Sequence, residues 1–435
     1  APQRAPAIPF YSSAGREHAV SFDGIFLTDW ISLEAVQSMS EAERVSYEKY
    51  QIQPLKKFVF GPAIYRTQAG IQSGGKIRAQ WTEARLERGR VAVPFHYDGV
   101  WILEKNLAAG GEFRFPLPFN PNELFTRYWL SCTDVDPAHQ YRSILWYYWD
   151  PSRPGCDHQE GLQYQEVTVR VGSETLNQPK SYPEYTRMLR TEGEVSVLRM
   201  TFAFGYAEEP TNARPESDYA QGIQEYRWFL TYARGHLTNF VETPIRAAEY
   251  PDGLGDPRII GYRFEGQTSN VKTIVSVVAA AGIAPMRLFA RSFAQDHEGF
   301  FGWFGHSQIG EGFDAEAFHW IVESDRARYS ILPDYQLVYW GGCNSYAYYT
   351  LPFFGLKAAA SSGADPKGTL GLDILAHGLP SYFSLNSDQA SVLLRALIRW
   401  EQKTSYQEIV GELERNASRS GFRLLAAVLG DEDNP

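Results

Sequence analysis

Two residues with the chemistry of a nucleophile and its base each follow a short, almost wholly apolar run. His306 comes just after Phe300–Phe304, and Cys343 comes just after Tyr335–Trp340. A free thiol has a pKa of about 8.5 and becomes a good nucleophile when a nearby imidazole takes or stabilises its proton. Runs of this kind indicate strands buried on both faces, whose carboxyl ends share one edge of a parallel sheet. We therefore predict that His306 and Cys343 form a catalytic dyad at that edge.

The segment between the two runs has the length of one helical crossover. Asp314 is placed to cap a helix that buries Phe318, Ile321 and Val322 before the second run begins. A strand, a helix and a second strand of this kind normally form parallel neighbours in one sheet. The spacing thus supports the predicted proximity of the two side chains.

Small residues flank both members of the pair. Gly341 and Gly342, before Cys343, let the backbone approach a substrate carbonyl closely, and amide N–H groups at Cys343 and around Ser307 are suited to an oxyanion hole. We therefore assign Gly342, Ser307 and Gly305 to oxyanion or loop support.

Three other polar residues offer alternatives. His377 also follows an apolar run, Leu372–Ala376, and is an alternative base. Asp373 and Asp365 are candidates to orient an imidazole or to bind a basic substrate side chain, although acidic loop residues are more often simply solvated. A lone cysteine after a buried strand is also often a small core residue, and that interpretation of Cys343 stays open.

A hydrophobic strand ending in His306 and a second ending in Gly342-Cys343, 37 residues later, resembles the caspase, gingipain, clostripain and legumain group of clan CD cysteine peptidases. The resemblance covers roughly residues 258 to 400. It implies an α/β catalytic domain with a mostly parallel sheet, a protein or peptide substrate and no cofactor. This chain has Gly305 before the histidine and Ser307 after it, where the family usually has glycine after it.

The C-terminal part has the alternating pattern that such a domain requires. Residues 271–281 fit one helical face, residues 286–293 fit a strand, and helices are predicted to begin near Asp314, Asp388 and Ser405, the last in a capping box with Glu408.

The N-terminal part has a different pattern. An irregular arm over residues 1–20 precedes one or two short helices over residues 32–50, with Ser40 and Glu43 in a capping box. From about residue 57 to 237, short runs of β-branched and aromatic residues alternate with turn-forming residues, which predicts a β-sandwich of jelly-roll type. The strands that we predict cover residues 91–95, 99–103, 113–116, 128–132, 143–149, 166–171, 195–204 and 226–232.

A cluster of Pro, Gly and Asp over residues 251–257 indicates a domain boundary. We therefore predict two domains: residues 1–250, with the arm, the helices and the sandwich, and residues 251–435, the caspase-like α/β domain.

Charge and composition exclude several classes of protein. The formal net charge is −10, and no Lys/Arg cluster provides a basic footprint, so a nucleic-acid partner is not expected. No apolar run approaches the roughly 20 residues of a transmembrane helix. Aromatic residues make up 14% of the chain, which is ample for cores and for binding faces.

The three cysteines are unevenly distributed. Cys132 and Cys156 lie in the β-rich part, where a disulfide between them is one interpretation and two reduced thiols the other. Together with the start at Ala1, the cysteines favour a secreted, extracellular or periplasmic protein whose signal peptide has been removed. Cys156-Asp157-His158 lacks a second ligand pair at zinc spacing, so no metal is assigned.

Two functions are compatible with these observations. The first is a secreted cysteine endopeptidase that uses Cys343 and His306. The second is an exported binding or surface-attachment protein that recognises a glycan or a protein through its aromatic-rich N-terminal part, with an inert α/β domain. The reactivity of Cys343 separates them.

Overall fold

A computed structural model gives the architecture of the chain. It describes residues 8–67, 69–72, 74–127, 131–133, 149–205, 221–245, 259–294, 298–307 and 312–431, without the side chains of residues 62–67 and 125–127. The chain divides into a small unit, Gly15–Thr175, and a large unit made of Ala1–Ala14 and Leu176–Pro435. In the sequence, the small unit is therefore inserted after the first residues of the large one.

The protein is a mixed α/β chain. Its described strands, in chain order, are β1 (Phe10–Ser12), β2 (Gly15–Thr28), β3 (Gly70–Ile71), β4 (Lys76–Ala79), β5 (Arg85–Glu87), β6 (Arg90–Glu104), β7 (Glu112–Pro118), β8 (Tyr164–Thr175), β9 (Leu189–Glu192), β10 (Val195–Gly205), β11 (Val241–Ile245), β12 (Ile260–Thr268), β13 (Val271–Ala280), β14 (Phe300–Phe304), β15 (Gln336–Trp340), β16 (Leu372–His377) and β17 (Ala426–Leu429).

The described α-helices are α1 (Leu33–Ser38), α2 (Glu41–Tyr47), α3 (Leu55–Thr67), α4 (Lys105–Ala109), α5 (Pro121–Arg127), α6 (Gln221–His236), α7 (Ala284–Ala294), α8 (Ala315–Ser324), α9 (Ser345–Ala360), α10 (Asn386–Ile398) and α11 (Tyr406–Arg419). A π-helical turn covers Glu48–Ile52, and single 3₁₀ turns cover Trp81–Glu83, Phe383–Leu385 and Trp400–Gln402. Among these helices, none combines the length and the apolar character needed to cross a membrane.

The large unit is built on a ten-stranded mixed sheet in the order β1-β17-β16-β15-β14-β10-β13-β12-β11, with β9 paired to β10. The central strands β13, β10, β14, β15 and β16 are parallel. Helices α6, α10 and α11 contribute to one core against the sheet, which includes Phe202, Phe204 and Phe229. On α7, α8 and α9, the aromatic rings of Phe289, Phe318 and Phe353 pack together in a second core.

In the small unit, the described strands form one antiparallel sheet of seven strands. The long strands β2 and β6 pair over their whole length, and Phe22 stacks on Tyr97 between them. The predicted jelly-roll sandwich needs two facing sheets, so the described strands differ from that prediction. The predicted strands over residues 128–132 and 143–149 lie mostly outside the described residues.

The two units do not divide at the predicted position. The predicted boundary, residues 251–257, lies outside the described residues, and the observed division falls at residues 14/15 and 175/176. The predicted strand at residues 195–204 is confirmed, but it pairs with β13 and β14 in the large sheet rather than in the N-terminal sheet. A strand's sequence shows that it is apolar and does not show which partner covers it.

Four predicted elements are wrong in type. The arm predicted to be irregular over residues 1–20 contains β1 and the first part of β2. Residues 271–280 of the helix predicted over 271–281 form β13. This doubly buried strand has six β-branched residues, and four of them, Val271, Ile274, Val275 and Val278, also fit a helical period. Residues 286–293, predicted as a strand, lie in α7, where Phe289 and Phe293 stack one turn apart. Residues 226–232, also predicted as a strand, lie in α6, whose buried residues recur at helical spacing.

The helix starts were predicted more accurately. The capping boxes of Ser40 with Glu43 and of Ser405 with Glu408 are both formed. Asp314 caps α8 by accepting hydrogen bonds from the backbone N–H groups of Glu316 and Ala317. These signals are local in sequence, so tertiary partners do not alter them.

Candidate functional site

The strands that precede the two candidate residues are parallel neighbours, as predicted. Trp303 of β14 lies opposite Trp340 of β15, three residues before His306 and Cys343 respectively. Helix α8 connects the two strands. The loops that leave the two strands therefore start side by side at the carboxyl edge of the sheet.

A hydrogen bond joins these two loops. The Ser307 hydroxyl donates to the carbonyl oxygen of Cys343 at 2.6 Å, and the Gly341 N–H donates to the carbonyl of Trp303 at 2.7 Å. Gly342 has no room for a side chain, because an added Cβ would overlap Ser307 Oγ and lie 2.9 Å from the carbonyl oxygen of Gly305. Ser307, Gly305 and Gly342 thus hold the histidine loop against the cysteine loop.

The Cys343 thiol is partly buried and hydrogen bonded. Its Sγ donates to the carbonyl oxygen of Ser381 at 3.2 Å. Burial raises the pKa of the Cys343 thiol, so the resting side chain is a protonated thiol rather than a thiolate at neutral pH. The next residue, Asn344, is the N-cap of α9 in a left-handed conformation (φ 50°), and its N–H donates to the carbonyl of Leu379 at 3.1 Å.

The backbone of His306 is held on two sides. Its carbonyl accepts hydrogen bonds from the Trp303 indole N–H at 3.0 Å and from the Phe313 backbone N–H at 3.1 Å. The imidazole ring meets the ring of Phe383 edge-on, with centroids 4.7 Å apart. Phe383 is two residues from Ser381, the partner of the thiol. The imidazole and the thiol therefore both contact the segment 381–383.

His377, the alternative base, lies in the core at the end of β16. Its Nε2 lies 3.0 Å from the hydroxyl of Tyr339, and that hydroxyl donates to Gln389 at 2.5 Å. The imidazole is therefore the donor to Tyr339. Burial lowers the pKa of His377 to about 3, so the ring is neutral. Its backbone N–H donates to Ser345 Oγ at 2.8 Å, which ties β16 to the start of α9.

The two candidate acids lie away from the cysteine edge. Asp373 pairs with Leu337, at the amino end of β16, and accepts hydrogen bonds from the hydroxyls of Tyr335 at 2.6 Å and Tyr406 at 2.5 Å. Burial raises the pKa of Asp373 well above its usual value. With a rise of about 3.3 Å per residue, this position is roughly 10 Å from the carboxyl ends of the strands.

Asp365 organises the loop before β16. Its two carboxylate oxygens accept hydrogen bonds from four backbone N–H groups, at distances of 2.8 to 3.2 Å. The donors are Gly368, Thr369, Leu370 and Gly371. The structure therefore brings neither Asp365 nor Asp373 to His306 and Cys343.

The segment 381–383 was not found from the sequence. The signal was available, because the apolar run 372–376 places the following loop at the same sheet edge as His306 and Cys343. The sequence does not indicate which backbone carbonyl accepts the hydrogen bond from the thiol.

In the small unit, Cys132 and Cys156 form a disulfide, as predicted. Together with His158 they are the one cluster of potential metal ligands among the described residues. Both sulfurs are consumed by the disulfide and offer no thiolate, and His158 Nδ1 accepts a hydrogen bond from the Trp149 indole at 3.1 Å. The residues present therefore do not fit a structural zinc site.

Comparison with known proteins found no relative of this chain. No family model matches the chain, and no curated protein or solved structure is significantly similar to it.

Proposed function

We propose that the large unit is a cysteine peptidase in which Cys343 is the nucleophile and His306 is the general base and acid. The observation that carries this proposal is the hydrogen bond from Ser307 to the Cys343 carbonyl, which joins the two loops at the ends of adjacent parallel strands. It is supported by the shared contact of both side chains with the segment 381–383.

The sheet topology supports the same edge as the site. Counted along the chain, the parallel strands β10, β13, β14, β15 and β16 lie side by side in the doubly wound order 2-1-3-4-5. Ligands of such sheets bind beyond the carboxyl ends of the strands, near the point where the order reverses. That point is the junction of β10 and β14, next to His306. The five parallel strands are one feature of the α/β domain that the resemblance to caspase-like peptidases implies. The whole described sheet is mixed rather than mostly parallel, because five antiparallel pairings accompany the four parallel ones.

The proposed reaction proceeds through a thioester. His306 takes the thiol proton, and the Cys343 sulfur attacks the scissile carbonyl carbon to form a C–S bond. Backbone N–H groups of the loops that contain Gly342 and Ser307 stabilise the oxyanion. The C–N bond then breaks, and the amine leaves with the proton from His306. Water attacks the thioester, the C–S bond breaks, and the acid product and the free thiol are released.

Three variants test the proposal. Cys343→Ala is expected to abolish cleavage of a mixed peptide library, and His306→Ala to lower the rate by about 10² to 10⁴. His319→Ala is the matched control, because His319 is an exposed imidazole of α8, and it should leave the rate unchanged. Turnover that survives Cys343→Ala, or no turnover of any peptide by the folded protein, would refute the peptidase.

The pH dependence of the thiol gives a second readout. A buried thiol with a raised pKa is alkylated in proportion to a small thiolate fraction, so its reaction with iodoacetamide should still be rising steeply with pH at about pH 8.5, the pKa of an ordinary cysteine. A rate that levels off below pH 8 would instead show a preformed thiolate in the resting site.

One observation favours the second function. A protonated thiol that donates to a backbone carbonyl is also what an inert core cysteine looks like. A binding or surface-attachment protein would then recognise a glycan or protein ligand through the small unit, and Cys343→Ala would leave that binding intact. For either function we propose an extracellular or periplasmic location, with which the Cys132–Cys156 disulfide is compatible.

A further inference from the structure

The segment Pro380–Leu385, here named the aromatic wall, borders the thiol and the imidazole. Tyr382 follows the carbonyl that accepts from Cys343, and its side chain is 45% exposed. The Tyr382 ring stacks on Phe422, with centroids 3.8 Å apart and planes 20° apart. Phe383 meets the His306 ring edge-on. Two aromatic side chains thus flank the reacting groups and are themselves supported.

The aromatic wall is fixed at its base as well. The backbone N–H groups of Gly378 and Leu379 donate to the carbonyls of Leu425 and Leu424, at 3.1 and 2.9 Å. Phe422, under Tyr382, follows the end of α11, where its N–H donates to the carbonyl of Ala417 at 2.9 Å. A surface held in this way can be a preorganised binding face, since little order is lost when a ligand packs on it.

The described loops around the thiol carry no formal charge apart from that of a protonated His306. Residues 304–307 and 312–313 of the histidine loop, 341–346 of the cysteine loop and 378–387 of the third loop contain no Asp, Glu, Lys or Arg. A charged side chain that loses water against these described residues finds no opposite charge among them, which is unfavourable. An apolar side chain has no such penalty and gains by covering the rings.

A small cavity borders His306 at the ends of β10 and β14. Its lining includes Gly205, Gly282 and Trp303, and its volume is about 10 Å³, the space of a single water molecule. A cavity of this size does not hold a substrate side chain, whereas Tyr382, which is 45% exposed, presents an accessible ring on the segment that contacts His306.

We propose that the site selects peptides with an aromatic or large aliphatic side chain beside the scissile bond, and that this side chain packs against Tyr382 and Phe383. The inference rests on the peptidase function proposed above. Acidic and basic residues at that position are disfavoured.

The test uses peptidyl chloromethyl ketones with Phe, Leu, Asp or Lys next to the reactive carbon and the rest of the peptide unchanged. Alkylation forms a C–S bond at Cys343 and releases chloride, and mass spectrometry of the labelled peptide reads the rate. The Phe and Leu reagents are expected to react at least about 10-fold faster than the Asp and Lys reagents, the scale of one good apolar contact. Tyr382→Ala should reduce this preference several-fold.

Two controls separate a binding face from a general loss of structure. Trp320→Ala removes another aromatic side chain, 63% exposed on α8, and should preserve the preference. Iodoacetamide is too small to use the aromatic wall, so its rate at Cys343 should be equal in the wild type and in Tyr382→Ala.

Each outcome decides between the two proposals. Selective labelling of Cys343 with an equal or greater rate for the Asp or Lys reagent overturns the inference and leaves the peptidase standing, as does a Phe preference that survives Tyr382→Ala. If no peptidyl reagent labels Cys343 faster than the same reagent labels free cysteine, the peptidase itself fails.

Discussion

Replacing Gly342 by alanine tests whether the histidine and cysteine loops touch as closely as the geometry requires. The added Cβ would overlap Ser307 Oγ, lie 2.9 Å from the Gly305 carbonyl oxygen and 3.1 Å from the Ser307 backbone nitrogen. The hydroxyl can rotate, but the two backbone atoms can move only if the loops separate. Gly342→Ala should therefore push the loop that carries His306 away from Cys343.

The magnitude follows from two opposing effects. Overpacking of a well-packed site costs about 1–3 kcal/mol, and the backbone contacts place this one in the upper half of that range. Alanine also restricts the unfolded chain, which offsets about 0.4–1 kcal/mol. We expect a net loss of roughly 1–2 kcal/mol in the free energy of unfolding. In the double variant with Ser307→Ala the overlap with Oγ is gone, so the two changes should cost less together than their sum, by at least about 0.5 kcal/mol.

Urea unfolding followed by tryptophan fluorescence measures these differences, and the rate of Cys343 alkylation reports the local rearrangement. Gly355→Ala is the matched control, because this exposed glycine of α9 has no atom within 4 Å of an added Cβ. That change should stabilise the helix by about 0.5–1 kcal/mol. A Gly342→Ala protein as stable as the wild type, or strictly additive changes at the two positions, would contradict the close approach of the loops.

Two further predictions concern stability. Replacing both Cys132 and Cys156 by serine should lower the free energy of unfolding by about 3.5 kcal/mol, because the variant lacks a disulfide that closes a loop with a sequence separation of 24. Urea unfolding with and without reductant measures this difference, and reductant should leave the stability of the variant unchanged. Because burial raises the pKa of Asp373 above its unfolded value, the wild type should lose stability relative to Asp373→Asn as the pH rises above about 4. The loss should be up to about 1.4 kcal/mol per pH unit until the folded pKa is reached. A difference in unfolding free energy between the two proteins that stays constant from pH 4 to pH 7 would contradict this prediction.

Sequence reasoning succeeded where the signal is local. The caps at Asp314 and Ser405 and the two runs that became β14 and β15 depend on neighbouring residues alone, and all four were predicted. It failed where contacts with residues distant in the sequence decide which element forms. Residues 271–280 have apolar side chains on both faces because β13 is covered on both sides, and that burial erases the period that distinguishes a strand from a helix.

In the candidate site too, local sequence signals gave correct predictions and positions that depend on tertiary contacts did not. The sequence placed His306 and Cys343 at the ends of neighbouring strands, because the crossover rule links strand order to the intervening helix. It also offered Asp373 and His377, which turn out to be polar groups of the core, hydrogen bonded to the hydroxyls of Tyr335 and Tyr339. An ionisable residue near a strand end is thus ambiguous until the direction of its side chain is known, since alternate residues of a strand point to opposite faces.

The resting hydrogen bond of the thiol sets a condition on the proposed reaction. Burial raises the pKa of the thiol and so holds the proton on sulfur, and each pH unit by which the pKa exceeds the ambient pH adds about 1.4 kcal/mol to the formation of the thiolate. That free energy has to come from substrate binding, since only an interaction gained as the reaction proceeds can offset it. A peptide that packs against Tyr382 lies next to Ser381, so the contact that selects the substrate would also alter the surroundings and the hydrogen bond of the thiol. Substrate selection and thiol activation would then be coupled through the segment 381–383, and Cys343 would remain a weak nucleophile towards small reagents until a suitable peptide is bound.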